Sequence, residues 1–277
     1  MVTLANGVRS VYSAEYDETF HPVIGPVAEA EALYVKQLRL PERVRECGEE
    51  FVIWDVGLGA AANVLTVLEA LSAYKGTLRI VSFDCTLEPL QFGLQHAREL
   101  GYFGGFEEAI HKLLRDHRVA FEHRAARVDW NVQVADFPEY IGCVEAEQLP
   151  KPHAILFDAF SPATNPAMWT QPLFARIYEL LDPKRPCALP TYSRSTMLRV
   201  SLLLAGFYVG VGHATGEKEE TTIAANSMSL IDEPLDRKWL ERARRSTSAE
   251  PLWTPDYRQA KMSEETWRKL TAHPQFN

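Results

Sequence analysis

The 277 residues are 46% hydrophobic, enough for a full globular core in one large domain or two small ones. A formal net charge of -8 weighs against a large polyanionic partner, because neutralising phosphates is the main source of affinity in nucleic-acid binders. Residues 1–9 lack a basic start leading into a long apolar stretch and no apolar run reaches membrane-spanning length, so a soluble cytoplasmic protein with no membrane partner is expected; Cys47, Cys85, Cys143 and Cys187, without CxxC spacing, suggest reduced structural thiols and no metal site.

Strand and helix signals alternate from residue 51 onward, the pattern of an α/β fold with a mostly parallel sheet and helices on both faces. The apolar run 51–56 predicts a buried first strand, followed by Gly57-Leu58-Gly59 and a helix over 60–74. A second strand is expected at 78–83, a helix over 88–100 ended by Gly101, and an extra helical insertion over 104–118. Strands at 130–135, 153–157 and 187–192 follow, the last after a helix over 171–181. A helix over 194–205 then leads to strands at 207–211 and 221–225, an antiparallel pair suited to closing a Rossmann-like, seven-stranded sheet of the class I methyltransferase type. Residues 1–50 are expected to form a small cap, 51–231 the ligand-binding domain, and 232–277 a polar tail packed on it.

Asp55-Val56-Gly57-Leu58-Gly59 stands where a buried strand turns into a helix, the edge at which open α/β sheets bind ligands. A bare GxG also suits any tight strand-to-helix turn. Asp84, ending the second strand, adds a carboxylate that can accept from both hydroxyls of a ribose. The third glycine of a dinucleotide fingerprint is absent, since Ala60-Ala61-Ala62-Asn63 follows Gly59. The series Asp55, Asp84, Asp136 and Asp158 would repel phosphates and suits a ligand carrying a sulfonium and an ammonium, as S-adenosyl-L-methionine does. Asp136, before Phe137-Pro138, is equally suited to capping a helix.

After the strand at 153–157 comes Asp158-Ala159-Phe160-Ser161-Pro162, then Asn165-Pro166 and Met168-Trp169. A carboxylate followed by an aromatic ring and prolines makes a stiff lip, and Asp158 is the natural group to orient an amine there. Basic residues cluster at Arg237, Lys238, Arg242, Arg244 and Arg245 and again at Lys112, Arg115 and Arg118, as solvated helix faces or as a basic face on an acidic protein.

These stretches, with Tyr16-Asp17-Glu18-Thr19-Phe20-His21, Gly25, Glu31, Ser82-Phe83-Asp84, Thr191-Tyr192-Ser193, Ala205-Gly206-Phe207 and Gly216-Glu217-Lys218, resemble the methyltransferase domain of the bifunctional tRNA 5-methylaminomethyl-2-thiouridine-forming enzymes, without their flavin oxidase half. The resemblance covers roughly residues 10–225. It implies S-adenosyl-L-methionine as cofactor, held by Gly57, Gly59, Asp84 and Asp136 together with Glu31, Asp55, Asn63 and Asp158. It implies an acceptor pocket of Tyr16, His21, Phe160, Trp169 and Tyr192, with Asp158 and Tyr192 catalytic. The implied reaction is N-methylation of an aminomethyl group on a tRNA wobble uridine. The same chemistry on a small-molecule or peptide amine, or a non-catalytic cofactor-binding module, are the alternatives. Two departures stand out: the family's Thr-Gly pair is Ala60-Ala61 here, and its Lys-Arg is Lys218-Glu219.

Overall fold

The computed structural model describes residues 1–216 and 219–277, so the Glu217-Lys218 part of the family-like turn lies outside the described residues. The central strand β1, Glu50–Val56, is buried on both faces: Phe51 and Ile53 enter one core, Val52, Trp54 and Val56 the other, following the two-residue period of a strand. Around it lie β2 (Thr77–Asp84), β3 (Arg118–His123), β4 (Ala126–Val134), β5 (Ala154–Phe157), β6 (Ala188–Thr191), β7 (Tyr208–Gly212) and β8 (Thr221–Ala225). Their order across the sheet is β7-β8-β6-β5-β1-β2-β4-β3. Strands β6, β5, β1, β2 and β4 run parallel, whereas β8 is antiparallel to both β6 and β7 and β3 is antiparallel to β4.

This is the expected α/β architecture, with eight strands in place of seven. The additional one, β3, begins where the expected helix over 104–118 ends and occupies residues for which no element is expected. The helix there ends at Asp116 because His117 takes a left-handed φ of 56°, and the chain returns as an edge strand. Only Val119 of its six residues is buried, so its sequence lacks the apolar run that announced the inner strands. The helix expected over 60–74 begins later, at Ala62, because Ala61 itself adopts φ 60°.

The chain folds in front of β1 as two short ribbons, Val2–Thr3 with Arg9–Ser10 and Tyr12–Ser13 with Glu18–Thr19. The helix Pro26–Ala30 then continues into a π-helical stretch, Glu31–Lys36. At the opposite end, residues after β8 cover the exposed edge of β7: Val211 N donates to Glu233 O, and Gln275 exchanges hydrogen bonds with the backbone of Val209. An edge strand so occupied has no free row of donors and acceptors to template aggregation. Among the described residues no helix is long and apolar enough to cross a membrane.

Candidate active site

The carboxyl ends of β1, β2, β4, β5 and β6 open into a cleft of about 960 Å³. It is floored by the Gly57 to Asn63 turn and roofed by residues 10–22. Gly57 has φ 90°, and a Cβ there would stand 2.7 Å from the carbonyl oxygen of Asp158, so only glycine lets the first and fifth strands' loops approach this closely. Gly59 has φ 51° and faces Phe20 of the roof. Its N–H donates to Asp84 Oδ2 at 2.9 Å, which fixes the second-strand carboxylate against the glycine turn. Burial raises the Asp84 carboxyl above its ordinary range, while hydrogen bonds from Gly59 and Thr86 oppose that rise.

The lip built by the DAFSP segment closes the other side. Asp158 Oδ2 accepts from Asn63 Nδ2 at 2.8 Å, and His21 Nε2 lies 3.5 Å from the same oxygen. Tyr16 stacks on Phe160 with centroids 4.2 Å apart, and Phe20 meets that ring edge-on at 5.5 Å. Glu18 ties roof to lip, accepting from Ser161 N at 3.2 Å and from the hydroxyls of Ser161 and Thr164. Burial alone would raise the Glu18 carboxyl, but these donors prevail and hold it below the usual range. Tyr192 donates to Ala159 O at 3.0 Å and its ring meets that of Trp169 at 5.9 Å.

The structure gathers Tyr16, His21, Gly57, Gly59, Asn63, Asp84, Asp136, Asp158, Phe160 and Tyr192 on this one cleft. Asp136 does so while capping the helix Phe137–Gly142, accepting from Glu139 N at 3.0 Å. Three expected residues stand elsewhere. Glu31 faces outward in an ion pair with Lys36 at 3.0 Å. Trp169 is fully buried beneath the lip and donates to Phe160 O at 2.7 Å. Asp55 is fully buried under the cleft floor, where its Oδ2 accepts from Ser82 Oγ at 2.7 Å and Ser82 in turn accepts from Trp130 Nε1 at 2.9 Å.

One acid that sequence reasoning passed over, Glu29, lies buried on the cleft wall. The buried positions Pro26, Glu29, Ala30, Leu33 and Tyr34 form one helix face, a spacing that could have turned attention from Glu31 to Glu29.

Burial pushes the Asp55 carboxyl up to about 7, with Ser82 opposing and the Asp158 and Asp84 charges adding to the rise. The native state therefore holds a proton that the unfolded chain releases near pH 4, and the cost of this group grows as pH climbs from about 4 to about 7 before levelling off. Wild type is expected to lose roughly 3 kcal/mol more stability than Asp55→Asn between pH 5 and pH 8, at about 1.4 kcal/mol per pKa unit. Urea unfolding of both at the two pH values measures it; parallel pH dependences would place the Asp55 carboxyl in its ordinary range.

The cleft lining fits S-adenosyl-L-methionine. Eight carboxylates line it, among them Glu18, Glu29, Asp84, Asp136 and Asp158, and among the described residues neither lysine nor arginine does. Asn63 Oδ1, buried on the same wall, has no protein partner and is available to accept from a ligand.

Residues 105–227 match a family model described as S-adenosyl-L-methionine-dependent methyltransferase. The tRNA 5-methylaminomethyl-2-thiouridine biosynthesis bifunctional protein MnmC of Aeromonas hydrophila is 29% identical over 232 residues, 78% of this chain and 34% of that protein. Its namesake in Leptospira interrogans is 23% identical over 252 residues, 88% of this chain and 38% of that one. The chain thus spans little more than a third of the length of these curated relatives. The crystal structure of MNMC2 from Aquifex aeolicus shares the fold, with TM-score 0.69 and 24% identity over 98% of this chain and 82% of the other. The chain has a Rossmann-like fold, and residues 105–227 within it carry the likeness to S-adenosyl-L-methionine-dependent methyltransferases. More narrowly, the chain is homologous to the methyltransferase domain of the MnmC proteins.

Proposed function

We propose that the chain methylates an amine nitrogen, and that the amine is the aminomethyl group of a wobble uridine in tRNA. The observation that carries the amine is the Asp158 carboxylate, set at the lip of an acid-lined cleft with Asn63 and His21 on its Oδ2. S-adenosyl-L-methionine supplies an electrophilic methyl group on a sulfonium. In this reading Gly57 and Gly59 leave room for it, Asp84 accepts from its ribose, and Asn63 and Asp136 complete the polar wall. Asp158 orients the neutral amine and takes the proton the methylated nitrogen sheds. Tyr192 positions the lip by holding Ala159 O, and the Tyr16–Phe160 stack offers an aromatic face to the base that carries the amine. The homology to proteins named for tRNA 5-methylaminomethyl-2-thiouridine biosynthesis supports the acceptor, and such a substrate places the activity in the cytoplasm.

A second reading, the same transfer to a small-molecule or peptide amine, draws on the acidity of the cleft, which attracts a compact cation as readily as a nucleotide side group. A labelled-methyl assay on bulk tRNA from cells lacking the modification decides between them. Incorporation into tRNA is the expected result. Turnover on small amines alone would establish the second reading, and cofactor binding with no turnover on any amine would overturn both.

Replacing Asp84 by alanine is expected to weaken cofactor affinity by roughly 1.5–3 kcal/mol, the worth of hydrogen bonds to a charged group. Calorimetric titration with S-adenosyl-L-methionine measures it, and an unchanged dissociation constant would remove Asp84 from ribose recognition.

A further inference from the structure

A cleft lined by carboxylates and lacking lysine and arginine among the described residues repels a phosphate backbone, so a tRNA whose base enters it must be held by phosphate contacts elsewhere. The helix Arg237–Arg245 presents such contacts. Trp239, Leu240 and Ala243 anchor it in the core, while Lys238, Arg242 and Arg245, spaced i, i+4, i+7, lie exposed along one face. Their row is about 10 Å long at 1.5 Å per residue. Arg244, by contrast, is paired with Glu264 at 2.9 Å and lies over the Trp267 ring. In the other basic cluster Lys112 is paired to Glu108 and Arg115 to Asp116, each at 2.7 Å.

Helix electrostatics alone does not explain the row. Cations in the last turn suit the helix dipole, but Arg237 and Lys238 occupy the first turn, where they oppose it, and like charges four apart repel. A polyanion laid along the face removes both penalties.

One member of this row, Arg242, acts electrostatically on Arg199, which is tied to a strand at the cleft edge. Arg199, in the first turn of the helix Thr196–Leu204, is buried and donates to Thr222 Oγ1 and Thr221 O. Thr222 pairs in register with Thr191, the residue before Tyr192 of the cleft. Burial lowers the Arg199 guanidinium against the pull of Glu220, and the cations of Arg194 and Arg242 lower it further. Arg194 is exposed, two residues past Tyr192.

We propose that Lys238, Arg242, Arg245 and Arg194 form a track for the phosphates of the tRNA whose modified base enters the cleft. This rests on the tRNA reading above, and it lies largely outside the residues matched by the family model, which end at 227.

The test compares wild type with the triple variant Lys238→Gln, Arg242→Gln, Arg245→Gln, using bulk tRNA from cells lacking the modification between 50 and 200 mM salt. The expected result is roughly 10-fold or greater loss of tRNA affinity, with a logarithmic salt slope shallower by about 2 to 3, as removal of three phosphate contacts requires. Calorimetric affinity for S-adenosyl-L-methionine should stay at the wild-type value, which certifies the fold. The matched variant Lys112→Gln, Arg115→Gln, Arg118→Gln should leave tRNA binding unchanged. If wild type methylates the tRNA while the first variant keeps its affinity and slope, or both variants lose affinity equally, the track is wrong and the tRNA reading survives. If wild type neither binds nor methylates the tRNA, both fall together.

Discussion

Replacing Asp158 by asparagine should lower kcat roughly 100- to 1,000-fold, the range lost with a positioned acid or base, while leaving cofactor binding near its wild-type value. The amide has the carboxylate's shape but cannot carry its negative charge, so it forfeits the charge-assisted hydrogen bond that orients the proposed amine and draws off its proton. The fold should tolerate the change. Asn63, which now donates to Asp158 Oδ2, has an unpartnered Oδ1 and can turn over to accept from the new amide. Raising pH should partly rescue the variant. An alkyl amine titrates near pH 10, as a lysine does, so below that value each unit by which the pH is raised makes about tenfold more of it neutral without help. A wild-type turnover rate in the variant at saturating cofactor would reduce Asp158 to a turn-forming residue.

Gly57→Ala is expected to be the most damaging small substitution. Its φ of 90° is unfavourable for any side chain, and its Cβ would meet the backbone oxygen of Asp158 at 2.7 Å, where no flexible side chain can yield. We expect a loss of about 2–4 kcal/mol in stability, from backbone strain plus displacement of packed strand ends, accompanied by loss of cofactor binding. Gly48 provides the control, because it shares the φ of 90° but would place a Cβ in open space. Gly48→Ala should cost only the strain, about 1 kcal/mol, and leave cofactor affinity unchanged. Equal urea midpoints for the two variants would show that the approach of the two loops is immaterial.

Much of this protein is legible in its sequence. Buried parallel strands read as continuous apolar runs because both faces are covered, and β1 and β5 were recognisable for that reason. Gly57, Gly59, Asp84 and Asp158 could be placed at strand ends because the topology of an open α/β sheet sends every parallel strand's carboxyl end to one crevice.

Only the tertiary structure decided the rest. Strand β3 carries one buried residue and gains its place from hairpin pairing with β4 across Arg124-Ala125, which hold none of the Asn, Asp or Gly residues that announce such a turn. Asp55, read as a cofactor ligand from its position beside the glycine turn, is directed by the strand's alternation into the core below, where Ser82 and Trp130 of neighbouring strands receive it. Glu29 and Glu31 differ by two residues of one helical segment, yet one lines the cleft and the other faces solvent. The joining of roof to lip, Glu18 to Ser161 and Tyr16 to Phe160, spans more than 140 residues of chain. Local sequence specifies which residue types are present and which way each element alternates; which distant surfaces meet depends on packing all the elements at once.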